Sequence, residues 1–326
     1  MFDLISRLKD PVIFQGNLNR RNYFEGWYFK QVGSDRAKLA IIPGISLTEK
    51  ESHAFIQVFN GRTSESQYYS FSIEEFKVEK DPFAIEISGN RFSYEGIDIK
   101  IEDLVKGSLK FNTIIPYHNS RTERGVMGWY GYVPFMETYH GLLSLDHRVN
   151  GSIDVGGDIH VFQDGNGYIE KDWGESFPSS WIWMQSNSFE KKGDSFMFST
   201  AVIPWLGSSF IVHIAIIRIG GIVFNFSTYR GGKITRLDKT LDQVSILVAT
   251  RNHVLEVNAF KGDSVTLKSP QKGLMTGRTI ESLDSMLEVK LRDKKGKSVF
   301  IGSGYNAGLE IMDDQDELIK GLGLVK

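Results

Sequence analysis

Residues 22–31 read NYFEGWYFKQ. In an extended chain Trp27 and Phe29 share one face, and Tyr28 and Lys30 share the other. A strand built only for packing would favour Val or Ile here. Instead Glu25 stands directly against Gly26, Trp27 and Tyr28. Gly26 is expected to let backbone or ligand come close where a side chain would block it. Glu25 reads either as half of an ion pair with Arg20 or Arg21, or as a working acid. A buried carboxyl with no partner is costly, so it is paired, protonated or used.

Outward from this stretch, period-two alternation dominates the chain. Ile97, Ile99 and Ile101 alternate with Asp98, Lys100 and Glu102. Val105, Gly107, Leu109 and Phe111 alternate with Lys106, Ser108, Lys110 and Asn112, and Leu287, Val289 and Leu291 with Glu288, Lys290 and Arg292. Each run predicts a strand with one face buried and one wet. Turn signals follow at short intervals, at Gly89-Asn90, Asp164–Gly167, Gly231-Gly232 and Lys295-Gly296. The apolar run 210–226 carries His213 and Arg218 and is broken by Gly220-Gly221. Two strands joined by a Gly-Gly turn fit it better than a membrane span, which needs roughly 20 apolar residues. Helical periodicity is weak and limited to Phe2–Ile5–Leu8, 236–243 and 314–321. The fold class is all-β, a sandwich or barrel of many short antiparallel strands.

A faint repeat lies on top of this pattern. Trp27-Tyr-Phe-Lys-Gln31 echoes Trp181-Ile-Trp-Met-Gln185, and each is followed by an Ile-Pro pair, Ile42-Pro43 and Ile203-Pro204. The echo suggests two β-units in tandem, 1–150 and 151–326, parting in Arg148–Ser152.

With 326 residues, 24% of them charged, and a net charge of −2, the chain has an ordinary globular balance and no basic field for nucleic acid. It holds no cysteine, which excludes disulfides, thiolate catalysis and cysteine-ligated metal. The N-terminus MFDLISRLKD lacks the apolar core of a secretory signal, so a cytoplasmic location is expected.

All six tryptophans fall between positions 27 and 205. Three aromatic blocks, 22–31, 127–147 and 168–185, also carry Glu25, Glu137, Asp146, Glu170, Asp172 and Glu175. Aromatic rings usually fill cores; acids beside glycine-flanked rings are harder to explain that way. Glu137, His140, Asp146 and His147 make a candidate metal set, but Asp146 and His147 would point to opposite faces of a strand, and no HExxH spacing occurs. No metal is expected. Nucleophile-elbow and phosphate-loop spacings are also missing. What remains is a β-container lined by rings and a few acids, suited to giving a proton to a greasy substrate. A desolvated carboxylic acid stays protonated and can donate, while aromatic faces stabilise a developing cation by roughly 0.5–2 kcal/mol each.

Three segments together resemble the tocopherol cyclase family: Phe24-Glu-Gly-Trp-Tyr-Phe-Lys30, Glu170-Lys-Asp-Trp-Gly-Glu-Ser-Phe-Pro178 with Trp181-Ile-Trp-Met-Gln-Ser-Asn187, and Gly128–Gly141. The resemblance spans roughly residues 20–190. It implies two tandem lipocalin-like antiparallel β-barrels, as in carotenoid hydratases, and cofactor-free closure of a prenylated quinol to a chromanol. In that reaction an acid protonates the prenyl double bond and the phenolic oxygen captures the tertiary cation. The resemblance is to the compact bacterial form, so no transit peptide is expected. By this reading Asp172 is the proton donor, with Glu137 and Glu25 as alternates, and His140 orients the phenol or takes its proton. Tyr28, Trp129, Tyr130 and Trp173 line the cation path. Trp27 and Trp183 complete the substrate-binding set, Trp27 having a second reading as a barrel-floor plug. A carrier that binds a hydrophobic molecule without turnover would use the same pocket. Such substrates partition into lipid, so peripheral membrane contact is expected, although the Phe2–Ile5–Leu8 stripe is too short to hold alone.

Overall fold

The computed structural model describes residues 10–34, 37–80, 83–118, 120 and 122–324. Eleven strands form the first sheet: β1 (Tyr23–Val32), β2 (Lys38–Leu47), β3 (His53–Asn60), β4 (Glu65–Ser72), β5 (Phe76–Lys80), β6 (Phe83–Ile87), β7 (Asn90–Ser93), β8 (Gly96–Ile101), β9 (Val105–Ile115), β10 (Thr138–Val155) and β11 (Asp158–Gly174). Their order is β4-β3-β2-β1-β11-β10-β9-β8-β7-β6-β5. All the pairings are antiparallel, and the sheet curls into a nearly closed barrel.

A second sheet follows from β12 (Trp181–Ser186), β13 (Ser195–Trp205), β14 (Ser208–Ile219), β15 (Ile222–Asn225), β16 (Lys233–Lys239), β17 (Gln243–Ala249), β18 (His253–Phe260), β19 (Ser264–Gln271), β20 (Leu274–Asp293) and β21 (Ser298–Met312). Its order is β15-β14-β13-β12-β21-β20-β18-β17-β16, with β19 paired to β20. A short helix α1 (Glu317–Gly321) comes last.

The same wiring recurs in both sheets. The leading strand, β1 or β12, lies between its successor and the last long strand, β11 or β21. Each unit has its own core. Trp27, Phe29, Ile41, Phe92 and Ile169 belong to the first; Ile182, Met184, Phe198, Val257 and Leu309 belong to the second.

The expected alternations fall on β8, β9 and β20, and Gly220-Gly221 forms the turn between β14 and β15, with φ of 56° and 89°. Residues 236–239, a weak helical candidate, are strand instead, because Leu237 packs inward on β16 opposite Ile246. The expected boundary in Arg148–Ser152 falls inside β10. The compact units part later. The first holds the described residues of Met1–Pro134, Thr138–Phe177 and Leu267–Arg278; the second holds those of Phe135–Glu137, Pro178–Thr266 and Thr279–Lys326. The reason is that β10 and β11 are one long antiparallel pair, and β11 must return to β1 to continue the first sheet. The Phe2–Ile5–Leu8 stripe lies outside the described residues. Among the described residues, no helix is long and apolar enough to cross a membrane.

The sequence echo marks equivalent strands but not equivalent faces. Trp27 and Phe29 point into the first barrel, whereas in the second unit Ile182 and Met184 point inward, so Trp181 and Trp183 take the other face. A one-residue offset reverses every side chain on a strand.

Candidate functional site

Three central strands of the first sheet, β1, β11 and β10, set out two different chemical faces. The register pairs Glu25 with Trp173, Gly26 with Asp172, Trp27 with Lys171 and Tyr28 with Glu170. On the other side of β11, Tyr139 pairs with Trp173, His140 with Asp172, Gly141 with Lys171 and Leu142 with Glu170. Alternation therefore puts Glu25, Trp27, Lys171, Trp173 and Tyr139 on the core face, and Gly26, Tyr28, Glu170, Asp172 and His140 on the opposite face.

On the core face, Glu25 and Lys171 are both fully buried and paired at 2.6 Å. Glu25 also accepts the backbone N–H of Gln15 at 3.0 Å and of Gly16 at 3.1 Å, and the Tyr23 hydroxyl at 2.5 Å. The Lys171 ammonium donates to Ile13 O at 2.8 Å and lies 5.0 Å from the Trp27 ring centroid and 4.7 Å from that of Trp173. Burial pulls Lys171 below the usual lysine range, while Glu25 opposes the shift. Trp27 packs among Phe14, Phe76 and Phe83, and Trp173 stacks on Tyr139 at 5.6 Å and 10°. The bonds to Gln15, Gly16 and Ile13 tie the barrel to the segment 10–16. Glu25 is thus the buried half of an ion pair, and its partner is Lys171 rather than Arg20 or Arg21; Arg20 instead covers the Tyr23 ring at 4.4 Å. Glu25, Trp27 and Trp173 stand away from Asp172 and His140 for one reason: they lie on the other side of the pleat.

The opposite face gathers a cluster of titratable groups. His140 Nδ1 lies 2.8 Å from Asp172 Oδ1, and Nε2 lies 3.5 Å from Glu170 Oε2. Tyr168, two residues before Glu170, donates its hydroxyl to that carboxylate. The side chains of Glu170 and His140 are 6% and 12% exposed and that of Asp172 is 24% exposed, so the group is half-sheltered with one open side. Burial opposes charge on His140, but Asp172 and then Glu170 outweigh it and push the imidazole up to about 9. Burial, with Glu170 and Asp172 nearby, raises the Tyr168 phenol well above its ordinary range. One donor atom from each of His140, Glu170 and Asp172 lies within 4.8 Å of the others, so among the described residues this trio is spaced to hold a cation.

Among the expected site residues, the structure brings Asp172 and His140 together and sets Tyr28 beside Glu170 across the β1–β11 ladder. Trp129 and Tyr130 sit in the 3-10 segment Gly125–Tyr132, where Trp129 is 51% exposed and packs on Tyr130. That segment reaches the cluster through Met127, whose sulfur accepts the His140 backbone N–H at 3.1 Å. Glu137 lies one residue ahead of β10, outside the trio. Trp183 belongs to the second unit, buried on β12 with its ring over Gly308. The tentative metal set dissolves as well. Asp146 pairs with Arg148, and His147 turns into the barrel beside Phe111 and Ser144, where burial and Arg148 hold its imidazole down at about 3.

The glycine in the opening stretch does not do what the sequence suggested. A Cβ at Gly26 would meet nothing closer than 3.8 Å, whereas at its partner Gly44 it would lie 2.5 Å from the Phe55 ring and 2.7 Å from Glu25 O. Close approach needs glycine at 44; at 26 a methyl group would sit in ordinary contact with Ile42, Phe55 and the Pro43 carbonyl.

Comparisons with known proteins bear on this geometry. The sequence profile of a family described as tocopherol cyclase-like matches residues 97–312, more than half of the chain. Over 67 residues the chain is 31% identical to a probable chloroplastic tocopherol cyclase of Oryza sativa subsp. japonica, and over 62 residues it is 34% identical to a chloroplastic tocopherol cyclase of Zea mays. These stretches cover 21% and 19% of this chain, but only 14% and 13% of the two plant proteins. A crystal structure of a protein from Nitrosomonas europaea, described as an AttH, is similar over 90% of this chain and 94% of that one, with a TM-score of 0.51 and 14% identity. That likeness speaks to the fold alone.

Proposed function

The chain belongs to the tocopherol cyclase-like family, and from that premise we propose that it is an acid-promoted cyclase that closes a prenylated quinol, or a related prenyl lipid, to a chromanol-type ring. The observation that carries this reading is the His140–Asp172–Glu170 cluster on a single strand face.

The proton inventory closes without a cofactor. Asp172 gives a proton to the less substituted carbon of the prenyl double bond, which leaves a tertiary cation. The phenolic oxygen forms the new C–O bond, and the phenolic proton returns to the His140–Asp172 couple, so the reaction is an isomerisation. At rest the proton sits on His140, because the two carboxylates favour the imidazolium. An apolar tail entering beside the pair favours the uncharged form, since low dielectric penalises separated charge. The proton then moves along the 2.8 Å Nδ1–Oδ1 line to Asp172, where it can be donated. An imidazole whose conjugate acid lies at about 9 is also matched to a phenol, with its ordinary pKa of about 10. Tyr28 offers an aromatic face to the cation, and Tyr168 holds Glu170 in place.

The test is incubation of purified protein with a prenylated quinol and detection of the chromanol. Asp172→Asn and His140→Gln should each lower turnover by roughly 10²–10⁴-fold. Return of unaltered quinol from a tightly binding protein would replace this reading with that of a carrier.

A further inference from the structure

The Nε2 atom of His140 is shut off from water and has no hydrogen-bond partner among the described residues. Its near neighbour is Glu170 Oε2 at 3.5 Å, an ion-pair distance longer than an ordinary hydrogen bond. Two ligands on a tetrahedral zinc ion, each about 2.0–2.2 Å from the metal, stand about 3.4 Å apart. The Nε2–Oε2 gap therefore has the span of an empty coordination edge. The other ring nitrogen faces Asp172 Oδ1 at 2.8 Å. At rest the imidazolium carries a proton on each nitrogen, so a metal must displace the one on Nε2; the Nδ1 proton stays with Asp172, which is how carboxylates orient histidines at metal centres, and the bared Nε2 lone pair faces Glu170. Two carboxylates and one neutral imidazole sum to a doubly negative site, and the exposed edge of Asp172 gives a route in.

We propose that His140 Nε2 and the Glu170 carboxylate, with Asp172 orienting the ring and Tyr168 fixing the glutamate, form a binding site for a divalent transition metal of the zinc class. One nitrogen and hard oxygens, with coordination positions left for water, suit Zn²⁺ and Mn²⁺ better than a soft cation. Binding would occupy the atoms that the cyclisation uses for its proton, so the metal acts as a reversible brake. That consequence rests on the proposed cyclase reading; the binding site does not.

The full-length chain, stripped with a chelator, is titrated with Zn²⁺ by calorimetry and by competition with a chromophoric chelator. One equivalent per chain is expected, together with visible absorption on substitution with Co²⁺. His140→Gln and Glu170→Gln should each weaken binding at least roughly tenfold, and Asp172→Asn by roughly 10–100-fold. Glu137→Gln, which lies outside the trio, should leave binding unchanged. Thermal melts identify any variant that is unfolded, and the remaining ones then decide. Absence of stoichiometric binding, or equal affinity in folded His140→Gln and wild type, overturns the site. If the metal-free protein makes no chromanol, the cyclase reading fails while the binding result stands.

Discussion

Strand β11 carries two ionic groups one residue apart, and they behave in opposite ways. On the core face, Lys171 meets Glu25 in a completed shell of backbone amides, a carbonyl, a tyrosine hydroxyl and two indole rings. On the opposite face, Asp172 meets His140, whose second nitrogen has no hydrogen bond, and the cluster opens to solvent along one edge. A buried ion pair with all its bonds satisfied is architecture, because losing either partner strands a charge in low dielectric. A pair left incomplete in a half-dry site can exchange its proton, and shifted ionisation there marks chemistry. The contrast teaches that burial of an acid says little until the rest of its hydrogen-bond shell is known.

The sharpest way to break the comparison is to remove charge from each face in turn. Asp172→Asn should cost roughly 10²–10⁴-fold in turnover and lower stability at neutral pH by about 1–2 kcal/mol, since His140 loses the carboxylate that most favours its charged form. A chemical melt run beside a chromanol assay separates the two effects, and an active, unperturbed variant would end the claim for the outer face. Lys171→Met should destabilise the fold by about 3–5 kcal/mol, since Glu25 and the amides of the 10–16 segment lose their centre. A Lys171→Met protein with wild-type stability would show that the inner pair is not structural.

Intermediate effects come from pH. His140 holds its proton up to about 9 when folded, against 6.5 for the ordinary group. Its contribution to stability is therefore complete below pH 6.5 and is lost as pH rises through about 9. His147 and His213, held down by burial to about 3 and about 4, act in the other direction: the unfolded chain takes up protons first, so stability falls as pH drops from 6.5 towards those values. Thermal melts from pH 4 to pH 10 should show both limbs, with the alkaline one flattened in His140→Gln. An unchanged alkaline limb in that variant would remove the special ionisation of His140. The smallest effect is expected from Gly26→Ala. It should shift stability by less than about 0.5 kcal/mol in a thermal melt, since the new methyl group would make only ordinary contacts with Ile42, Phe55 and Pro43; a larger loss would show that the outer face is packed more tightly than this geometry says.

Much of the fold was legible. Ile97–Glu102 and Leu287–Arg292 alternate because one side of each strand meets apolar neighbours and the other meets water, and that pattern needs no partner to be read. The unit boundary was not legible, since nothing local in Arg148–Ser152 distinguishes a turn from the middle of an eighteen-residue strand. In the candidate site, Asp172 and His140 were picked from chemical character, and their pairing across strands remained hidden. Glu170 was in view as one acid among six, yet the Glu-x-Asp spacing that puts it on the face of Asp172 was a usable signal. Trp173 was grouped with Asp172 by nearness along the chain, and Glu25 and Trp27 joined them through the family motifs. On a strand, nearest neighbours are the residues most surely kept apart.

By itself, the sequence determined the all-β character, the duplication and the family, because alternation, turn residues and short motifs are local properties of the chain. Only the tertiary structure decided which acid is sealed and which is available. That depends on strand register and on the groups that complete each shell: Lys171 lies 146 residues from Glu25, and Asp172 lies 32 from His140. Such distances close only when the sheet forms.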